Sequence, residues 1–185
     1  MSVKGWSYGM QLPVQTLTRT LADPWEDDAT VEDLVTIAKR AEATGHSFVG
    51  VCDHIAIPDN DYAANMRTTW YDTVATLSYL AAHTTTVNLL SVVWVAAYRH
   101  PLQTAKSFGT LDHLSGGRVI MGVGAGHVEA EFEALGVDYS QRGKILNENI
   151  DAIRGAFQND YASFDGGFYS YENVAIAPGP VNGSL

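Results

Sequence analysis

An acid–base pair is the first chemical feature of the sequence. Asp53 and His54 stand side by side, directly after an apolar run at 47–52. Histidine exchanges protons near neutral pH, and a neighbouring carboxylate can set its tautomer or favour its charged form. The pair therefore fits general acid–base catalysis. Two polar residues at the end of a strand can also serve simply as a cap and a hydrogen-bond partner.

A glycine-rich turn is the second candidate. The sequence GVGAG occupies 122–126, and His127 follows it. Glycines let the backbone come close to a flat ring or a phosphate. The turn fails the dinucleotide-binding fingerprint, because the third glycine of that pattern would fall on His127. A tight strand-to-helix turn without a ligand is the alternative interpretation.

One tryptophan stands near these candidates. Trp94 lies towards the end of a nearly unbroken apolar run at 87–96. An aromatic side chain at such a strand end could stand beside a bound ring and contact the substrate. Core packing is the more common use of tryptophan.

Several kinds of site have little support in the sequence. The six histidines form neither HxH nor HExxH, so we expect no metal site. The acidic run Glu129, Glu131 and Glu133 reads as a solvated helix face. Cys52, the single cysteine, is expected to be a buried small residue without a disulfide partner.

The composition narrows the possible partners and location. The net charge of −10 weighs against binding to nucleic acids and to anionic membranes. The first twenty residues lack the apolar segment of a signal peptide, and no stretch reaches the roughly 18 apolar residues of a membrane span. We therefore expect a cytoplasmic protein that acts on a small molecule.

The elements that must position these residues follow from the apolar periodicity, which alternates between strand and helix values. Strands are predicted at 6–14, 47–52, 87–96 and 118–123. Helices are predicted to begin at Thr30, Asp72 and Pro101, with later helices near Glu129 and at 142–157, and a hairpin at 164–168. Four successive strand–helix units predict an α/β fold with a parallel sheet.

Two architectures share this pattern: a doubly wound sheet and part of a (β/α)8 barrel. A complete barrel needs about 250 residues, so a single domain at 1–185 cannot form one. Both architectures bind ligands at the carboxyl ends of their strands. The strand ends at 53–54, 92–98 and 124–127 are therefore predicted to meet.

Four stretches of the chain resemble the luciferase-like monooxygenase superfamily. The most specific is RHPLQTAKSFGTLDHLSGGRVIMGVGAGHVEAEFEALGVDYSQRG at 99–143. The others are AKRAEATGHSFVGVCDH at 38–54, YDTVATLSYLAAHTTTVNLLSVV at 71–93 and FDGGFYSYENVAIAPGPV at 164–181. The resemblance covers nearly the whole chain.

This resemblance implies the N-terminal half of a (β/α)8 TIM-type barrel: four βα units plus a β-hairpin, ending before the fifth barrel strand. It also implies that the barrel binds coenzyme F420 or FMN. Asp53-His54 resembles the deazaflavin (F420) branch, since the flavin luciferases tend to carry Glu-His at that position.

The resemblance also implies roles for individual residues. Asp53 would contact the deazaflavin ring, and His54 would donate a proton or stabilise the transition state. The ring would lie over a bulge in the third strand, where relatives hold a non-prolyl cis peptide bond. The implied cofactor-binding residues are Asp53, Val92, Val93, Gly124, Ala125, Gly126 and His127, and Trp94 is assigned to the substrate.

The chain departs from some deazaflavin dehydrogenases at two positions. They carry a glutamate where this chain has His127, and a tryptophan shortly after the histidine, where this chain has Ile57 and Pro58. The acid–base assignment of those relatives therefore carries over only in part.

The resulting functional hypothesis is an oxidoreductase or monooxygenase that uses reduced F420, or reduced FMN, on a small organic substrate. The alternative is a truncated, non-catalytic half-barrel, or one piece of a split enzyme that needs a partner. Because four βα units leave open sheet edges and an uncovered face, self-association or a complementary half-barrel is expected.

Overall fold

The computed structural model describes residues 6–14, 19–61 and 63–185. Its eight strands are short, and parallel strands alternate with helices along most of the chain. They are β1 (Gly9–Gln11), β2 (Phe48–Val51), β3 (Asn88–Ser91), β4 (Trp94–Val95), β5 (Val119–Ile120), β6 (Val123–Gly124), β7 (Ala162–Asp165) and β8 (Ser170–Val174).

The main sheet is parallel and follows the order of the chain. Four strands pair as β1-β2-β3-β5, and β4 pairs in parallel with β6 just beyond them. β7 and β8 form the antiparallel hairpin predicted around 164–168. Strands that succeed one another in chain order, each followed by a helix, are the arrangement expected for consecutive units of a barrel.

In the described part of the chain, five α-helices connect or follow the strands. They are α1 (Val31–Ala43), α2 (Thr73–Ala81), α3 (Pro101–Ser115), α4 (Glu129–Ala134) and α5 (Arg142–Gln158). Not one of the helices in the described residues is long and apolar enough to cross a membrane.

The predicted helix starts are confirmed by their caps. Thr30 Oγ1 accepts the N–H of Asp33 at 3.3 Å, and the Asp33 carboxylate accepts the N–H of Thr30 at 2.8 Å. Asp72 Oδ1 accepts the N–H of Ala75 at 2.8 Å. Pro101 opens α3, where a missing N–H costs nothing.

The helices cover one face of the sheet, and most of the core lies there. Its fully buried members include Leu34 of α1, Leu77 of α2 and Phe108 of α3, packed with Val49 and Leu89 of the strands. The other face of the sheet is less covered: the side chain of Ile120 is 40% exposed. In a barrel this second face is the interior.

The third and fourth predicted strands are each divided in two. The run at 87–96 forms β3 and β4, and the peptide bond between Val92 and Val93, which separates them, is cis. The run at 118–123 likewise divides into β5 and β6. Both divisions lie at the edge of the sheet where the candidate site forms.

Candidate active site

The three predicted strand ends meet around one cavity of about 370 Å³. That volume lies in the usual range for small-molecule sites, about 300–1,000 Å³. The cavity is lined by Cys52, Asp53, His54, Trp70, Val92, Val93, Val95, Tyr98, Gly124, Ala125, Gly126 and His127. All the residues assigned to the cofactor from the sequence are in this set.

Asp53 is buried beside the cavity with both carboxylate oxygens engaged. Arg99 donates two hydrogen bonds to it, Nη1 to Oδ2 at 2.7 Å and Nη2 to Oδ1 at 2.8 Å. The N–H of Val95 donates to Oδ2 at 2.9 Å, and Asp53 is 3% exposed. Both oxygens of this carboxylate are therefore bonded within the protein.

The geometry therefore gives Asp53 a positioning role rather than the proton-transfer role expected from the sequence. It ties the end of β2 to the end of β4, because its partners include Val95 and the nearby Arg99. The Thr73 hydroxyl of α2 also donates to Oδ1, at 3.4 Å. The Arg99 guanidinium also lies over the Trp94 ring, 3.7 Å from the centroid. Arg99 was missed in the sequence because nothing local pairs it with Asp53, 46 residues away.

His54 faces the cavity, as predicted, and its ring is fixed on two sides. Its Nδ1 lies 2.8 Å from Glu131 Oε2. The Trp70 indole packs against it edge-on, with ring centroids 4.3 Å apart. Trp70 comes from the loop before α2 and also lines the cavity.

Glu131 corrects the prediction that the acidic run is a solvated face. It is 1% exposed and accepts four hydrogen bonds, whereas Glu129 and Glu133 on the same short helix are exposed. Its Oε1 accepts the N–H groups of Ile55 and Ala56, and its Oε2 is approached by His54 Nδ1 and the Tyr98 hydroxyl.

Glu131 remains ionised in this environment. Burial raises the pKa of a carboxyl group, but the hydrogen bonds from His54, Ala56, Tyr98 and Ile55 outweigh it, so the pKa of Glu131 is lowered. Burial and the bond to Glu131 raise the pKa of Tyr98, which therefore stays a neutral hydrogen-bond donor. In the sequence, the one signal for Glu131 is its place in the family-like stretch EAEFEALG.

His127 lies at the rim of the same cavity and is exposed. Its ring centroid is 5.9 Å from that of His54. Partial desolvation of the ring, together with the charge of His54, lowers the pKa of His127. The cavity thus holds two imidazoles in different surroundings: one bound to a buried carboxylate and one at the surface.

Trp94 does not reach this cavity. It is 2% exposed, belongs to the core on the helix side of the sheet, and packs edge-on against Phe108 at 5.0 Å. The substrate contact expected for Trp94 does not fit that position. Trp94 lies after the division of the strand into β3 and β4, and apolar periodicity does not predict that division.

Cys52, predicted to be buried, is instead half-buried and lines the cavity.

The lining suits a flat heteroaromatic ring. Val92 and Val93 offer an apolar surface, and Val93 is 43% exposed. Gly124 brings backbone close beside Val93, where an added Cβ would lie 2.5 Å from Val93 Cγ2. His54 and His127 supply polar groups of the kind that fix orientation in such sites. In the ranges that the structure describes, no cluster of histidine, cysteine, aspartate or glutamate is arranged to hold a metal ion.

Comparison with known proteins gives the family. The model of the family described as luciferase-like monooxygenase matches residues 10–184. The chain belongs to the luciferase-like monooxygenase family. The resemblance inferred from the sequence and the α/β half-barrel fold are both confirmed.

Relatives in this family include proteins from bacteria and archaea. An uncharacterized protein of Mycobacterium tuberculosis is 32% identical over 157 residues, which is 79% of this chain and 54% of that protein. A 5,10-methylenetetrahydromethanopterin reductase of Methanolobus tindarius is 33% identical over 140 residues, covering 76% of this chain and 39% of the relative. The chain spans about half the length of the curated relatives it matches, or less.

Solved structures of luciferase-like enzymes share the fold. An F420-dependent secondary alcohol dehydrogenase with an F420–acetone adduct has a TM-score of 0.72 at 20% identity, over 95% of this chain and 50% of that one. A riboflavin lyase with modified FMN has a TM-score of 0.76 at 18% identity, over 97% and 49%. At these identities the likeness establishes the fold.

Proposed function

We propose that this chain is the ring-binding half of a luciferase-like oxidoreductase that uses reduced coenzyme F420 on a small organic substrate. The observation that carries the proposal is the cavity of about 370 Å³ in which His54, the Val92–Val93 segment and the glycine turn at 124–126 meet. The apolar side chains of Val92 and Val93, the glycine backbone at 124–126 and the His54 imidazole fit a flat redox ring.

Two comparisons favour F420 over other redox cofactors. The alcohol dehydrogenase that shares the fold is F420-dependent, and a second neighbour is a coenzyme F420-dependent tetrahydromethanopterin reductase. The Asp53-His54 sequence points the same way through its resemblance to the deazaflavin branch. FMN is the alternative cofactor, since the riboflavin lyase binds a modified FMN in the same fold.

Each lining residue has a part in this function. When bound, the deazaflavin supplies hydride chemistry. Val92, Val93 and the backbone of Gly124 hold and orient the ring, and Asp53 keeps their strand ends in place. His54 carries the proton that must be gained or lost by the substrate, and Trp70 shields one side of the imidazole from water.

Fluorescence titration of the 185-residue chain with F420, and with FMN in parallel, tests the proposal. We expect saturable F420 binding at micromolar concentrations. Ala125→Trp should abolish binding because Ala125 lines the cavity, whereas Ala134→Trp, at the exposed end of α4, should leave it unchanged. Binding of FMN alone would move the proposal to the flavin branch. A folded chain that binds neither cofactor would overturn it.

The role of His54 has its own prediction. His54→Ala should abolish turnover but keep F420 affinity within about tenfold, or about 1.4 kcal/mol, because the imidazole acts on the proton rather than holding the ring. His46→Ala, a histidine outside the cavity, is the matched control and should keep full turnover. Unchanged turnover in His54→Ala would remove this histidine from the mechanism.

A second candidate function is a half-barrel that works only with a partner, either a second copy or a complementary half. The exposure of Val93 and Ile120, at 43% and 40%, favours it, since these side chains belong to the less covered face. Adding a separately expressed complementary half and recovering F420 binding that the chain alone lacks would support this candidate. Tight F420 binding by a monomer would contradict it.

A further inference from the structure

Four groups lie within hydrogen-bond distance of the Glu131 carboxylate. Their chemistry determines which tautomer His54 adopts. Ile55 and Ala56 offer backbone N–H groups to Oε1, and a backbone N–H can only donate. Glu131 is 1% exposed, and an ionised carboxylate only accepts hydrogen bonds. The atom of His54 that lies 2.8 Å from Oε2 is Nδ1, which must therefore carry a proton.

The opposite ring nitrogen is left for the cavity. Nε2 of His54 has no hydrogen-bond partner among the residues that the structure describes, while the ring itself lines the cavity. Packing against Trp70, 4.3 Å away between centroids, keeps the imidazole from turning over. The buried carboxylate thus selects which nitrogen is presented to a bound molecule.

We propose that Glu131 is a positioning residue that holds His54 as the Nδ1–H tautomer and directs its Nε2 into the cavity as the proton-exchanging atom. Gain of a proton at Nε2 gives an imidazolium, and its loss to the substrate restores the neutral ring. The bond from Nδ1–H to Glu131 stays intact in both states. The catalytic consequence rests on the proposed function, but the tautomer does not.

The same geometry predicts what a neutral amide would do at position 131. In Glu131→Gln, the backbone N–H groups of Ile55 and Ala56 still need an oxygen, so the amide oxygen stays with them. The amide NH2 then faces His54 Nδ1 and the Tyr98 hydroxyl, both of which can switch to accepting. His54 is therefore expected to reverse to the Nε2–H tautomer without a change of fold.

Two-dimensional 1H–15N NMR of histidine ring nitrogens, recorded between about pH 5 and about pH 9, reports the tautomer directly. His54 is assigned by the signals lost in His54→Asn. We expect the Nδ1–H form of His54 to exceed the other by at least about tenfold in the unmodified chain, or about 1.4 kcal/mol. Glu131→Gln should reverse that ratio, and Glu131→Asp should keep it.

The controls use neighbours of Glu131. Glu133→Gln, on the exposed side of the same helix, should leave the ratio unchanged. Tyr98→Phe removes one donor from Oε2 and should also keep the Nδ1–H form. If Glu131→Gln fails to fold, the tautomer of the unmodified chain still tests the proposal. A predominant Nε2–H tautomer in the unmodified chain, or an unchanged ratio in a folded Glu131→Gln, would overturn the proposal.

Because no cofactor is present in this measurement, it can fail independently of the proposed function. A confirmed tautomer in a chain that binds neither F420 nor FMN would leave the positioning role in place and remove the assigned cofactor. In an active holoenzyme, Glu131→Gln should lower kcat and change its pH profile while KM changes little. Glu131→Asp should restore most of the lost rate.

Discussion

At the scale of single residues, the site depends on two buried carboxylates with different neighbours. Asp53 is neutralised by a bidentate arginine, Arg99, and has no capacity left for a substrate. Glu131 is paired with a histidine whose other nitrogen remains accessible. Burying a charge is costly unless it is paired and hydrogen-bonded. Both groups meet that condition, but Asp53 binds the backbone of Val95 and Glu131 holds the His54 imidazole.

Removal of the Asp53 charge should therefore destabilise the fold. Asp53→Asn removes the buried charge that faces Arg99 and leaves the guanidinium only the longer contact with Asp72, at 4.0 Å. Breaking a buried ion pair costs about 3 kcal/mol. Urea unfolding, followed by circular dichroism, measures the loss. Asp59→Asn, at an exposed position in the loop after β2, is the control and should change stability by less than about 0.5 kcal/mol. Equal stabilities for the two variants would show that the Asp53–Arg99 ion pair contributes nothing to the free energy of unfolding.

At the scale of elements, side chains at helix ends hold the loops that lead into the strands. Glu42, near the end of α1, accepts hydrogen bonds at Oε1 from the N–H groups of Thr85, Thr86 and Val87. This one carboxylate anchors the turn between α2 and β3. Burial raises its pKa, but the three backbone donors outweigh that effect and lower the pKa of Glu42 from 4.5 to about 2.

Stability should consequently fall in acid. A carboxyl group with a lowered pKa stabilises the folded state above its unfolded pKa of 4.5, and this contribution is lost as the pH falls towards about 2. Glu42→Gln should cost on the order of 1 kcal/mol at pH 7, because the group is close to solvent, and should flatten the pH dependence in that window. Thermal unfolding at several pH values checks this against Glu32→Gln, an exposed position on α1.

The glycine turn gives a second prediction at this scale. Gly126 has φ +82°, and an added Cβ would lie 2.7 Å from Val95 Cγ1 and 2.8 Å from the Phe132 ring. Gly136 has φ +70° with nothing within 4 Å. Gly136→Ala should therefore cost about 1 kcal/mol for its backbone alone, and Gly126→Ala about 3 kcal/mol, in urea unfolding. If both variants lost the same free energy of unfolding, the close packing around Gly126 would contribute nothing to stability.

The predictable parts of this protein are those that neighbouring residues determine. The caps at Thr30 and Asp72 and the proline at 101 locate three helices, and the alternation of strands and helices gives the parallel sheet. The burial of Glu131 and that of Trp94 differ from the sequence prediction for one common reason. Whether a side chain in a short helix or a divided strand faces solvent, a cavity or the core depends on partners distant in sequence.

At the scale of the whole molecule, the helices protect one face of the sheet and leave the other less covered. Val93 and Ile120 expose 43% and 40% of their surfaces there, and β5 stands at the edge of the four-stranded sheet. Exposed strand edges and contiguous apolar surfaces favour association with another chain. Val93 also lines the cavity.

We expect the chain to self-associate at tens of micromolar. Sedimentation equilibrium measures this directly, and Ile120→Lys should weaken association by placing a charge on the open face. Leu114→Lys, at a position 68% exposed on α3, should leave it unaffected. A folded monomer throughout this concentration range would contradict the prediction.

The bond between His54 and Glu131 joins residues 77 positions apart. A ribosome adds about 5–20 residues per second, so His54 is added to the chain on the order of ten seconds before Glu131. Until α4 has been made and docked, nothing selects which ring nitrogen faces outward. The loop after β2 likewise lacks the acceptor for Ile55 and Ala56 until then. The contact between His54 and Glu131 therefore forms late during synthesis, after the strand that precedes His54 has been made.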